Sequence, residues 1–93
     1  DVVIWPGEHS HVERIVRAAH EHDVVIIPFG GGTSVTNAVT PPPEEKRMIV
    51  SLDMHEMNHI KWIDRESMTA CIEAGAVGIE LDQRLSKEGF TLG

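Results

Sequence analysis

Residues 24–34 read Val-Val-Ile-Ile-Pro-Phe-Gly-Gly-Gly-Thr-Ser, an apolar run that passes directly into three glycines and two hydroxyl residues. Valine and isoleucine suit a pleated, buried strand, and Pro28 fixes its own φ near the strand's end. Glycine has no Cβ, so Gly30, Gly31 and Gly32 can all take φ > 0 and leave their backbone N–H groups uncovered. Successive N–H groups turned into one concavity make a nest for a phosphate or pyrophosphate. Thr33 and Ser34 add two hydroxyl donors at its rim. The competing reading is a Gly/Ser linker or a plain turn, and the apolar run held by Pro28 weighs against it. On the same reasoning a β-branched residue at Gly31 is expected to be excluded, because it disfavours φ > 0.

Two familiar nucleotide patterns do not fit. A Walker loop ends in Gly-Lys-Ser/Thr, and Gly32-Thr33 lacks the lysine. A dinucleotide fingerprint opens a helix with Gly-x-Gly-x-x-Gly/Ala, whereas Val35 stands where a small residue belongs. Residues 35–40 lead into Pro41-Pro42-Pro43 and carry no helical pattern. An anion here must therefore be held by loop amides without a helix dipole.

On the N-terminal side, Val2-Val3-Ile4-Trp5 is a short apolar run stopped by Pro6-Gly7, a strand and turn. Ser10 and Glu13 fit a capping box, and Val12, Ile15, Val16 and Ala19 share one face at helical spacing. The strand over Val24–Ile27 follows, and two strands joined by a helix are expected to be parallel with a right-handed crossover. On the C-terminal side, residues 36–47 are polar, proline-rich and charged, which predicts an exposed loop. Met48–Leu52 reads as a third strand. Ile60–Ile63 and Met68–Ile72 flank Asp64-Arg65-Glu66-Ser67 and predict a hairpin with a four-residue turn. Val77, Leu81 and Leu85 share a face of a last helix, with Glu80 and Arg84 as an i,i+4 pair and Gly89 as its stop. The expected fold class is α+β: a strand–helix–strand parallel start, an antiparallel hairpin and a C-terminal helix.

The chain has 93 residues, 41% hydrophobic and 25% charged, ordinary for one small domain. Its first residue is Asp1 and its last Gly93, so it reads as a piece of a longer protein. Net charge is −7, from 8 Lys+Arg against 15 Asp+Glu, which argues against nucleic acid or an anionic membrane as a general partner. A bound pyrophosphate must then be attracted by local amides against a repelling overall field. The single cysteine, Cys71, excludes an internal disulfide and suits a reducing compartment. Its alternating surroundings predict a packed thiol. No apolar stretch reaches the length of a membrane-spanning helix, and no signal peptide is visible.

Taken in order, Ile-Ile-Pro-Phe-Gly-Gly-Gly-Thr-Ser-Val, Ser-Leu-Asp-Met, Met-Asn-His-Ile-Lys-Trp-Ile-Asp and Ile-Glu-Ala-Gly-Ala resemble the FAD-binding domain of the vanillyl-alcohol oxidase/p-cresol methylhydroxylase flavoproteins. The resemblance covers essentially all of residues 1–93, about the first half of that PCMH-type domain. It implies that these residues are the diphosphate-binding subdomain of a larger enzyme. The family's pyrophosphate loop maps onto Pro28, Phe29, Gly30, Gly31, Gly32, Thr33 and Ser34. Some relatives attach flavin through a His that would align near Gly32, and glycine has no side chain to bond, so the resemblance implies non-covalent FAD. Many oxidases of the family carry Arg where Phe29 stands. Glu73-Ala74-Gly75-Ala76 also resembles a family motif, with no ligand contact assigned to it.

Within the family, Val-Ile-Trp-Pro-Gly, Met57-Asn58, Trp62-Ile63-Asp64 and Phe90-Thr91-Leu92-Gly93 look most like the alkyl-transferring, ether-lipid-forming branch. That branch replaces the fatty acid of acyl-dihydroxyacetone phosphate with a long-chain fatty alcohol, without net redox change. The resemblance implies covalent catalysis carried by the cofactor, with the protein supplying position and electrostatics. It further implies a peroxisomal protein and a possible homodimer. No catalytic residue can be assigned within these 93 positions. An FAD-linked hydroxyacid oxidase of the same superfamily and a non-catalytic phosphate- or nucleotide-binding module are the alternatives.

Other residues invite chemistry and have simpler explanations. The six histidines include the pairs His9/His11, His20/His22 and His55/His59. None sits in an H-E-x-x-H pattern with a third ligand, and solvated or helix-capping roles are expected, with no metal. Trp5 and Trp62 lie in strand patterns and are expected in the core. Ser10 reads as a helix cap. Met48, Met54 and Met57 read as adaptable core filling.

Overall fold

The chain, described over residues 2–34 and 36–92 in a computed structural model, builds five strands and two helices around a parallel sheet and a hairpin. The expectations at Asp1, Val35 and Gly93 lie outside the described residues. The order is β1 (Val2–Ile4), α1 (His9–Glu21), β2 (Val25–Phe29), β3 (Ile49–Asp53), a 3₁₀ turn (Met54–Glu56), β4 (Ile60–Asp64), β5 (Thr69–Ile72) and α2 (Gly78–Lys87). The α+β expectation, a parallel start followed by a hairpin and a helix, describes this architecture.

β1, β3 and β2 form one sheet in that spatial order, with both pairings parallel. β1 and β2 are parallel, as expected from the helix between them, but β3 enters between the two. Its central place gives it the two best-buried strand residues, Val50 and Leu52, at 7% and 3% exposure. They alternate with half-buried Ile49, Ser51 and Asp53, the period of a pleated strand. Ile15, Ala18 and Ala19 of α1 face Ile4, Ile26 and Val50 across a cleft of about 350 Å³. β2 runs on through Pro28 and Phe29, further than the apolar run alone suggests. An edge position tolerates a proline, which has no N–H to give to a ladder.

The link from β2 to β3, residues 30–48, joins parallel strands without a helix among its described residues. Its far end is pinned. Arg47 meets Glu45 through two side-chain bonds, Nε to Oε1 at 2.8 Å and Nη2 to Oε2 at 2.9 Å, and reaches Asp23 Oδ1 at 3.3 Å. Asp23 ends α1 in the left-handed region at φ 53°, the place a glycine usually takes, and the Val24 N–H closes the turn on the Ala19 carbonyl at 2.9 Å.

β4 and β5 pair antiparallel, Asp64 opposite Thr69, with an irregularity between Ile60 and Trp62. Asp64 Oδ1 accepts from the Glu66 N–H at 3.0 Å, which shapes the turn, and Met68 completes it at φ 58°. α2 lies against the hairpin. Leu85 is buried, Phe90 returns its N–H to the Leu85 carbonyl at 2.9 Å, and Gly89 takes φ 84° as the expected helix stop. Arg65 bonds Glu88 Oε2 at 3.2 Å and lies 4.8 Å from the centre of the Phe90 ring.

Several expectations change. α1 begins at His9 with Glu8 as its cap, and Ser10 does not cap it; the Ser10 hydroxyl donates to the Glu8 carboxylate. The turn is secured instead by the Gly7 N–H donating to His11 Nδ1 at 3.0 Å, while Glu13 pairs with His9 at 2.8 Å. Trp5 and Trp62 are exposed, at 57% and 55%, and Met48 at 52%. Cys71 is exposed too. Alternation assigns residues to faces, and it cannot say which face of a two-stranded hairpin finds a partner. Of the three methionines, Met57 is the buried one.

Candidate functional site

The carboxyl ends of the three parallel strands come out along one edge, the place where open α/β sheets bind ligands. β1 delivers Trp5, Pro6 and Gly7 there, β3 delivers Asp53, and β2 delivers Phe29 and the glycine loop. The register sets Phe29 opposite Asp53 and Ile4 opposite Leu52, so the three strand ends are nearly level. Pro6 is fully buried. Trp5 is oriented by its Nε1–H, which donates to Asp53 Oδ2 at 2.9 Å, while Asp53 Oδ1 accepts from the His55 N–H at 3.0 Å.

The loop itself is open. Residues 31–34 are exposed and Gly30 is half-buried. Among the described residues the backbone N–H groups of Gly31, Gly32 and Thr33 find no acceptor. Of the three glycines only Gly32 takes a left-handed backbone, at φ 69°. The expectation that all three would use φ > 0 is therefore corrected, and with it the backbone reason for excluding a β-branched residue at Gly31. A Cβ added to Gly31 would meet Thr33 Cγ2 at 3.7 Å, an ordinary contact. A Cβ on Gly30 would lie 3.3 Å from the Ala74 carbonyl oxygen. Ser34 turns its oxygen back into the loop, accepting from the Ala38 N–H at 3.1 Å.

Beneath the loop the backbone is closely stacked. Gly75 is buried, and a Cβ there would sit 1.6 Å from the Met54 carbonyl oxygen and 2.8 Å from that of Met57. The Gly75 N–H bonds Met57 O at 2.8 Å, and the Glu73 N–H bonds His59 O at 2.9 Å. Along the sequence, Glu73-Ala74-Gly75-Ala76 had a resemblance to a family motif and no place in the site. Three consecutive small residues were the available signal for a close backbone approach. The neighbouring Glu73–His59 pair lies one step beyond the Ile60–Ile72 pair of the hairpin, and the expected hairpin was the available signal for it.

The chemistry of this loop is that of an anion cradle. Three unpaired amides follow a strand end, no Cβ stands on residues 30–32, and one glycine adopts a conformation that L-residues resist. Among the described residues no group of three or more His, Cys, Asp or Glu side chains is placed to hold a metal ion. No described helix is long and apolar enough to cross a membrane.

Residues 1–93 match, end to end, the family model described as FAD binding domain. The chain belongs to that FAD-binding family. FAD is its cofactor, and the free amides and bare glycines fit a ligand with a diphosphate. Alkyldihydroxyacetonephosphate synthases of Dictyostelium discoideum and Caenorhabditis elegans are each 47% identical to it over 93 residues, all of this chain. The chain spans 15% and 16% of the length of those two relatives. A solved alkyldihydroxyacetonephosphate synthase superposes with a TM-score of 0.89 at 47% identity, over 98% of this chain and 17% of that one. The likeness extends over nearly the whole chain.

Proposed function

We propose that residues 1–93 are the diphosphate-binding segment of an alkyldihydroxyacetonephosphate synthase, a larger FAD enzyme. The observation that carries this reading is the open glycine loop at the carboxyl edge of the parallel sheet, in a chain 47% identical throughout to two such synthases. The main-chain amides of Gly30 to Thr33 would bind the FAD diphosphate, with Pro28 and Phe29 leading the strand into the loop and Ser34 folding its far side. The binding is non-covalent on this reading, since Gly30, Gly31 and Gly32 offer no side chain to bond.

When bound, the flavin would supply the electrophilic and nucleophilic character that exchanges an acyl for an alkyl group without net redox change. The substrates are acyl-dihydroxyacetone phosphate and a long-chain fatty alcohol, the setting is ether-lipid synthesis in the peroxisome, and the parent protein is a homodimer. Within this segment the residues bind and orient, and the acid–base groups lie elsewhere in the protein.

The test uses the full-length protein with labelled hexadecanol and acyl-dihydroxyacetone phosphate. The expected result is a yellow protein that forms the labelled ether lipid without consuming oxygen or an added acceptor. Acceptor reduction by a hydroxyacid, with no ether formed, would replace this reading with a flavin oxidoreductase. A colourless protein that binds free nucleotides would reduce it to a phosphate-binding module.

A further inference from the structure

Glu73 leaves β5 next to the backbone stack and its side chain is 9% exposed, the least of any ion-pair partner among the described residues. Its Oε1 accepts from the His59 N–H at 3.1 Å and meets His59 Nδ1 at 2.5 Å. The His59 hydrogen bond holds this carboxyl below the ordinary carboxylate range. The three residues that follow, Ala74, Gly75 and Ala76, have no side chain able to make a polar tether. They nevertheless form the layer between the 54–57 turn and the glycine loop: Gly75 lies against Met54 O, and Ala74 O lies against Gly30.

We infer that Glu73 is a positioning residue for the FAD diphosphate loop. By holding His59, it fixes the 73–76 segment so that the Ala74 carbonyl backs Gly30 and sets the height of the loop whose amides meet the ligand. The inference rests on the reading of that loop as the diphosphate site. It assigns no ligand contact to Glu73 itself. Its effect passes through one backbone carbonyl, which makes it separable from a general loss of stability.

The separating measurement is a double-mutant cycle on FAD affinity in the full-length protein, stripped of flavin and titrated by fluorescence quenching. Gly30→Ala forces a methyl against Ala74 O. With Glu73 in place the carbonyl is fixed, and binding is expected to weaken about tenfold. In a Glu73→Ala background the carbonyl can yield, and the same methyl is expected to weaken binding less than about threefold, a non-additivity within the range of coupled residues. Equal effects of Gly30→Ala in both backgrounds would overturn the inference while leaving the loop as the site. If neither Gly30→Ala nor Gly32→Ala alters FAD binding, the loop is not the diphosphate site, and both readings fall. Should Glu73→Ala not fold, Glu73→Met, which keeps the bulk and removes the acceptor of both His59 bonds, takes its place in the cycle and is read the same way.

Discussion

Replacing Gly32 isolates one physical quantity, the cost of a left-handed backbone. Gly32 sits at φ 69°, and an added Cβ would find nothing within 4 Å, so the protein presents no steric objection. The remaining penalty is conformational, about 1–2 kcal/mol for an ordinary L-residue in this region. The loop is exposed and its amides are unpaired, so the ligand-free protein can relax away from the strain. The ligand, which needs the loop as it stands, meets the full cost. Gly32→Ala should therefore weaken FAD binding about 5- to 30-fold, at tenfold per 1.4 kcal/mol. Gly32→Asn should lose less than Gly32→Ala, because asparagine tolerates the left-handed region. Gly32→Val should lose most, since a β-branched side chain resists it hardest. Fluorescence titration of the stripped full-length protein gives the affinities, and urea unfolding of the ligand-free forms should move by no more than about 0.5 kcal/mol. An order set by size, with Ala tightest and Asn as weak as Val, would refute the conformational reasoning and point to ligand contact at that position. Wild-type affinity in Gly32→Val would remove the loop from the site.

Gly75→Ala should cost at least about 3 kcal/mol or prevent folding, because its Cβ would fall 1.6 Å from Met54 O, where neither backbone can move aside; urea unfolding or the soluble yield of the full-length protein reads this. Met68 occupies φ 58° and is 70% exposed. Met68→Gly should raise stability by up to about 1 kcal/mol, relief of left-handed strain less the entropy of glycine, and an unchanged or lowered unfolding midpoint would contradict it. The Arg47 side-chain bonds hold Glu45 at about 2, below its ordinary 4.5. A depressed carboxylate stabilises fully above its unfolded value and loses that contribution as pH falls through the folded one. Glu45→Gln should therefore speed amide exchange over residues 36–48 at pH 6, with the difference from wild type fading between pH 4.5 and pH 2. A difference that persists undiminished at pH 2 would show that the Glu45 charge is not what pins the loop.

Features that depend on local chemistry were legible along the chain. Val24–Ile27 running into Gly30-Gly31-Gly32 specified a strand ending in an uncovered loop, since few residues but glycine leave amides bare. Asp64 to Ser67 specified a hairpin turn, and Gly89 a helix stop, because each needs only its neighbours along the chain. The insertion of β3 between β1 and β2 is an outcome of packing, since the order of parallel strands is set by which apolar faces come together. The same holds for the choice of Gly32 as the single left-handed glycine of the three, which depends on where the strand end and Ala74 O fix the loop's ends. Trp5 and Cys71 were misplaced because burial belongs to the partner surface and not to the residue. Glu73 and His59 meet one step beyond the Ile60–Ile72 pair of the hairpin; the hairpin was legible along the chain, and the irregularity between Ile60 and Trp62 that sets this register was not.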